Sequence, residues 1–187
     1  MHKTLTSFLF FCSLSLQCRG EIVLNFPSTV PQAEQQKIED AIHQAALKFT
    51  EKKYADRGAY NFVTTSTRFV VRFVNLRGLG GTYSAACENY ENKNLVTLDA
   101  KLLRNLPALK IFALHEFSHA YDDMFPKISR CGRNCDTEYN AQKKEEWFFQ
   151  EMKDPLPSHL YQLYIQRHTK QNDAEIRRKV LLELIGE

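Results

Sequence analysis

The sequence predicts an α+β fold: a small mixed β-sheet packed against one central helix, with further helices toward the C-terminus. Three observations predict it. Runs rich in β-branched and aromatic residues all fall before Pro107. Beyond Pro107 the expected elements are all helices, separated by a cysteine loop at 131–135. The 187 residues, 43 % apolar and 25 % charged, suit one domain with a core of its own.

The chain opens on His2 and Lys3, an apolar run over residues 5–16 (Phe8, Leu9, Phe10, Phe11, Leu14), then Cys18-Arg19-Gly20. A basic start, a run too short to span a bilayer and a small residue at its end read as a secretory signal over residues 1–20. The domain then covers residues 21–187, and the expected location is secreted, extracellular or periplasmic. Lipidation at Cys18 is a lesser alternative, because Leu16-Gln17 poorly matches the small residues such processing prefers. No other segment is apolar enough to cross a membrane, so no stable insertion is expected after signal removal.

From Glu21 to Phe26, Ile22, Leu24 and Phe26 alternate with Val23 and Asn25, which predicts a first strand. Ser28-Thr29-Val30-Pro31 reads as a helix entry with a hydroxyl cap and a proline in the first turn. Ile38, Ala41, Ile42, Ala45 and Phe49 then carry a helix to about Tyr54, with Gly58 beyond its end. Phe69, Val70, Val71, Phe73 and Val74 make residues 68–76 a buried strand. Gly78-Leu79-Gly80-Gly81 ends it, and two short strands are expected at 82–86 and 95–98. Pro107 opens a helix carrying Leu109, Phe112, Ala113, Phe117, Ala120 and Tyr121, which should stop before Pro126. Another helix is expected from about Tyr139 to Lys153, and two more near 158–168 and 173–185. In the last, Arg177, Arg178 and Lys179 form a solvated face.

A formal charge of +3, with no basic stripe interleaved with aromatics, excludes nucleic acid as an expected partner. Removal of the signal leaves Cys87, Cys131 and Cys135. A bridge within Cys131-Gly132-Arg133-Asn134-Cys135 and a bridge from Cys87 to either are both open, and one thiol stays over. The absence of a fourth soft ligand nearby argues against a structural zinc there.

His115-Glu116-Phe117-Ser118-His119 is the most informative segment. On a helix, a spacing of four puts both imidazoles on one face, where they can share one Zn²⁺ beside Glu116 as general base. A hydrolytic zinc needs a third protein ligand. The extended H-E-x-x-H-x-x-G-x-x-H form is absent, since Asp122 and Phe125 stand where its glycine and third histidine would be. A carboxylate downstream is the alternative: Glu138, Glu145 or Glu146, with Asp136 more distant. Periodicity leaves the choice open. Glu145 shares a face with Ala141, Phe148 and Met152, whereas Glu146 shares one with Gln142 and Phe149.

Residues 115–123 read H-E-F-S-H-A-Y-D-D, residues 145–150 read E-E-W-F-F-Q, Tyr139 precedes Glu146 by seven, and Gly78-Leu79-Gly80-Gly81 stands upstream. Together these resemble the zinc-peptidase family of the anthrax lethal factor catalytic domain and the small secreted Pro-Pro endopeptidases. That family shows H-E-x-x-H-A-x-D, then a tyrosine, then E-F-F-A-E seven residues on, with G-L-G-G before the edge strand in its small members. The resemblance spans roughly residues 78–152. It implies a zincin-like metallopeptidase domain, with His115, His119 and Glu146 as zinc ligands. It further implies Glu116 as general base and Tyr139 as the phenol that stabilises the oxyanion. The substrate would be a peptide or protein segment bound in extended form along the 80–86 edge, by a monomeric enzyme. Two departures stand out. The family's second glutamate, an outer partner of a zinc histidine, falls on Gln150, leaving Glu151 or Asp122 as substitutes. The span from His119 to Glu146 is also shorter, so a Pro-Pro preference does not carry over. A non-catalytic binding module on the same scaffold and a protease toxin with one narrow target are the rival expectations.

Overall fold

The computed structural model describes residues 21–55, 68–77, 80–84, 93–124 and 137–152, together with Glu183. The expected leader, Cys18, Cys87, Cys131, Cys135, Asp136 and the helices expected near 158–168 and 173–185 lie outside the described residues, apart from helical Glu183.

In chain order the elements are β1 (Glu21–Asn25), α1 (Gln32–Leu47), β2 (Arg68–Val74), β3 (Gly81–Ser84), β4 (Lys93–Asp99), α2 (Leu106–Met124) and α3 (Thr137–Glu151). A 3₁₀ turn follows α1 at Lys48–Thr50 and another precedes α2 at Ala100–Arg104. The four strands form one sheet in the order β1-β2-β4-β3. β1 and β4 flank β2 in parallel, with Ile22 opposite Phe69 and Val71 opposite Val96, while β3 runs antiparallel to β4 with Tyr83 opposite Val96. A mixed α+β architecture is therefore present.

Position in the sheet explains each strand's composition. β2 and β4 have neighbours on both sides and near-continuous burial, through Phe69, Val70, Val71 and Phe73 on one and Leu95, Val96 and Leu98 on the other. β3 lies at an edge and alternates, with Thr82 and Ser84 exposed. The turn before it depends on Gly80, whose φ of +82° falls where glycine is favoured. A Cβ there would also meet Phe112 Cε1 at 2.3 Å.

α2 packs against α1, α3, β3 and β4. Phe69 meets Phe117 edge-on at 5.7 Å, and Phe49 meets Tyr121 at 5.5 Å. A helix surrounded on this scale should be apolar all round. Yet α2 also buries His115, Glu116, Ser118 and Asp122. Buried ionisable groups are costly unless paired, so these four mark where the fold serves something besides packing.

Boundaries differ from expectation in physically clear ways. Pro31, extended at ψ 142°, is itself the residue before α1, and no side chain caps that end. The α-helix stops at Leu47, tightens into the 3₁₀ turn and still buries Phe49 and Tyr54. α2 starts one residue before Pro107, because the Asn105 side chain accepts the Ala108 N–H at 3.0 Å. β4 is longer than expected and β3 begins at Gly81.

Candidate metal centre

The helical spacing of His115 and His119 stacks their rings one turn apart on α2, with centroids 4.7 Å apart and Nε2 atoms 3.0 Å apart. Glu138, in the first turn of α3, bridges them. Its Oε2 stands 3.4 Å from His115 Nε2 and its Oε1 3.2 Å from His119 Nε2. Ligand atoms of these three residues all lie within 4.8 Å of one another, so they form a group that can hold a metal ion.

The donor set passes a geometric test. Nitrogen and oxygen ligands held about 2.0–2.1 Å from a shared tetrahedral centre stand about 3.3 Å apart. The two Nε2 atoms are 3.0 Å apart, and the two oxygens of Glu138 stand one 3.2 Å from His119 and the other 3.4 Å from His115, all near that value. A cation among two imidazole nitrogens and a carboxylate attracts all three, which offsets the repulsion between ligand atoms held this close. Exposure is graded across the set: the His115 side chain is 1 % exposed, His119 16 % and Glu138 50 %, so the group opens to solvent on the α3 side.

Glu116 is buried against the edge strand. A Cβ on Gly81 would come within 2.7 Å of Glu116 Oε1, so only glycine lets the carboxylate lie there. Thus the candidate base lies against the start of β3 and directly follows His115 in the chain.

The other carboxylates expected near the site are distributed differently. Glu145 is buried, with Oε1 2.9 Å from Nδ1 of His115; the oxygen stands at ion-pair distance rather than along the N–H bond. Glu146 is half-buried and is not a member of the group that meets at the two histidines. Helix geometry supplies the reason. Glu138 and Glu145 are seven residues apart and share a face within about 20°, whereas Glu146 is a further ~100° round the helix. Tyr139, next to Glu138, is 49 % exposed.

Asp122 Oδ1 lies 3.5 Å from Lys144 Nζ, not at a histidine, and Lys144 also donates to Ser118 Oγ at 2.9 Å. Lys144 is itself buried, 4.9 Å from the Tyr121 ring centroid and 5.4 Å from that of Phe49. Asp123 faces Tyr83, whose phenol lies 3.3 Å from its Oδ2 and donates to Asn94 Oδ1 at 2.9 Å. Burial first, then the Asp123 charge, pushes that phenol's pKa up. Glu151 is engaged elsewhere, by Lys48, Lys53 and Tyr54.

Sequence reasoning therefore did not find Lys144, nor the place of Glu145. One signal pointed to them: Ala141, Lys144, Glu145 and Phe148 fall on one helical stripe, so a lysine and a glutamate sit on the apolar face of α3. Compared with known proteins, the chain matches no family model, no curated protein and no solved structure.

Proposed function

We propose that this protein is a secreted, zinc-dependent endopeptidase of the zincin type. The observation that carries the reading is the His115–His119–Glu138 group, on the helix whose Glu116 is buried against the edge strand. The H-E-x-x-H spacing and the local resemblance to lethal-factor-like peptidases support it independently of the geometry.

His115, His119 and Glu138 would hold the ion, two neutral nitrogens and one carboxylate being a donor set that suits zinc. Bound there, zinc supplies Lewis acidity, polarising the scissile carbonyl and making water a better nucleophile. Glu116 takes the proton of the attacking water and passes it to the departing amine, which keeps the charge balanced through both halves of the reaction. Tyr139, exposed beside Glu138, donates its phenolic hydrogen to the carbonyl oxygen as negative charge develops there. The substrate is an extended peptide paired to the outer edge of β3, which brings its backbone past Glu116.

Metal analysis of purified protein and the Glu116→Gln variant test the proposal together. Expected are one tightly held zinc per chain, proteolysis stopped by a chelator, and a variant that keeps its zinc while losing cleavage by at least the ~10²–10⁴-fold of general-base catalysis. Wild-type protein without zinc, together with a Glu116→Gln variant that cleaves peptides as fast as wild type, overturns it.

A further inference from the structure

The His115 ring has an acidic partner on each side. Nε2 faces the Glu138 carboxylate at 3.4 Å, and Nδ1 faces Glu145 Oε1 at 2.9 Å. Both carboxylates come from α3, two turns apart on one face, about 10.5 Å along the axis. They converge on the ring from opposite directions, and the two contacts demand opposite things of it. A ligating nitrogen must present a lone pair; the other nitrogen then carries the proton, and a carboxylate is its strongest acceptor.

We infer that Glu145 is the positioning residue of this centre: 2.9 Å from Nδ1 of His115, it is the acceptor that takes the Nδ1 proton after a small turn of the ring, which fixes the tautomer that leaves Nε2 free for the metal. The inference rests on the metal-binding reading above and adds the group that orients its most buried ligand. Other acids that could serve are committed elsewhere, Asp122 to Lys144 and Glu151 to Lys48, Lys53 and Tyr54, while residue 150 is an exposed glutamine. Both side chains of the pair are 1 % exposed. A carboxylate this deep needs a partner, and the Nδ1 of His115 is a buried nitrogen that needs one in turn. Glu145 faces the His115 ring, so its removal should affect that ring and spare His119.

The test uses the full protein, zinc and Glu145→Gln, which keeps the size of the side chain and removes its charge. Zinc affinity is measured by competition with a chromophoric chelator, and ring tautomers by long-range ¹H–¹⁵N NMR. Expected is a ~10–100-fold loss of zinc affinity in E145Q. His115 in zinc-loaded wild type should be the Nδ1–H tautomer with a slowly exchanging proton; in E145Q that proton should exchange faster while His119 signals stay in place. Equal zinc affinity in E145Q and wild type overturns the inference, as does wild-type His115 carrying its proton on Nε2. If E145Q does not fold, the wild-type Nδ1 proton decides: the downfield shift of a hydrogen bond to a carboxylate supports the inference, and its absence overturns it. Wild-type protein that binds no zinc sinks the metal reading itself, a different result from zinc-binding protein indifferent to Glu145.

Discussion

Three carboxylates on α3, at positions 138, 145 and 146, differ in what a charge-removing change should do. Glu138 bridges both Nε2 atoms, so Glu138→Gln should weaken zinc binding by more than the ~10–100-fold that an outer partner is worth. Glu146→Gln should leave it unchanged. Calorimetric zinc titration of the two variants checks this, and the reverse order would show that α3 is rotated by one residue relative to the histidines. The two glycines before β3 divide in a similar way. Gly80→Ala places a methyl at positive φ and 2.3 Å from the Phe112 ring, which should cost roughly 1–3 kcal/mol in a urea melt. Gly81→Ala meets Glu116 instead, at 2.7 Å, so its expected signature is lost peptide cleavage at near-normal stability.

Between elements, α2 and α3 are joined by a buried charge. Lys144 reaches across to Ser118 and Asp122 and lies over the Tyr121 and Phe49 rings. Removing it strands the Asp122 carboxylate among apolar neighbours. Lys144→Ala should therefore cost about 3–5 kcal/mol, and Lys144→Met with Asp122→Asn much less, as a double-mutant denaturation series would show. The same two helices show what was legible in advance. α2 could be read because its apolar spacing and the four-residue histidine interval agree on one period. The face of α3 could not, because Glu138, Glu145 and Glu146 each lie beside apolar residues and only packing chooses among them. The mixed sheet was legible from β-branched runs at β2. Its order was not, since nothing local to Lys93–Asp99 says that β4 enters between β2 and β3. Pro31 and Asn105 teach a smaller lesson: helix entries depend on which carbonyl or amide is free, and neighbouring prolines mark them only to within a residue.

Across the whole molecule, the far end of α3 is tied to the end of α1 by Glu151. Lys48 donates to it at 2.9 Å, Lys53 at 2.6 Å and the Tyr54 phenol at 2.9 Å. Desolvation alone would raise the Glu151 pKa, but the hydrogen bonds from Lys53, Lys48 and Tyr54 outweigh it and hold the carboxyl at about 2. A folded-state pKa below the ordinary 4.5 means that this tie contributes in full above that pH and fades as pH falls toward about 2. Wild type should thus be more stable than Glu151→Gln near neutrality, with the gap closing in acid; urea midpoints measured across that range check it. Among the described residues no helix is long and apolar enough to cross a membrane. The strand order has a consequence for synthesis. β3 is made before β4, yet β4 is its only ladder partner among the described residues, so residues 81–84 wait unpaired until residue 99 has emerged. Among the described residues, a nascent chain stopped before Lys93 has as its ladder the parallel β1–β2 pair alone, too little to persist by itself. The rim against which a peptide would lie is therefore the last part of the sheet to be laid down. An unfinished polypeptide has no such rim to offer to itself or to its neighbours on the ribosome.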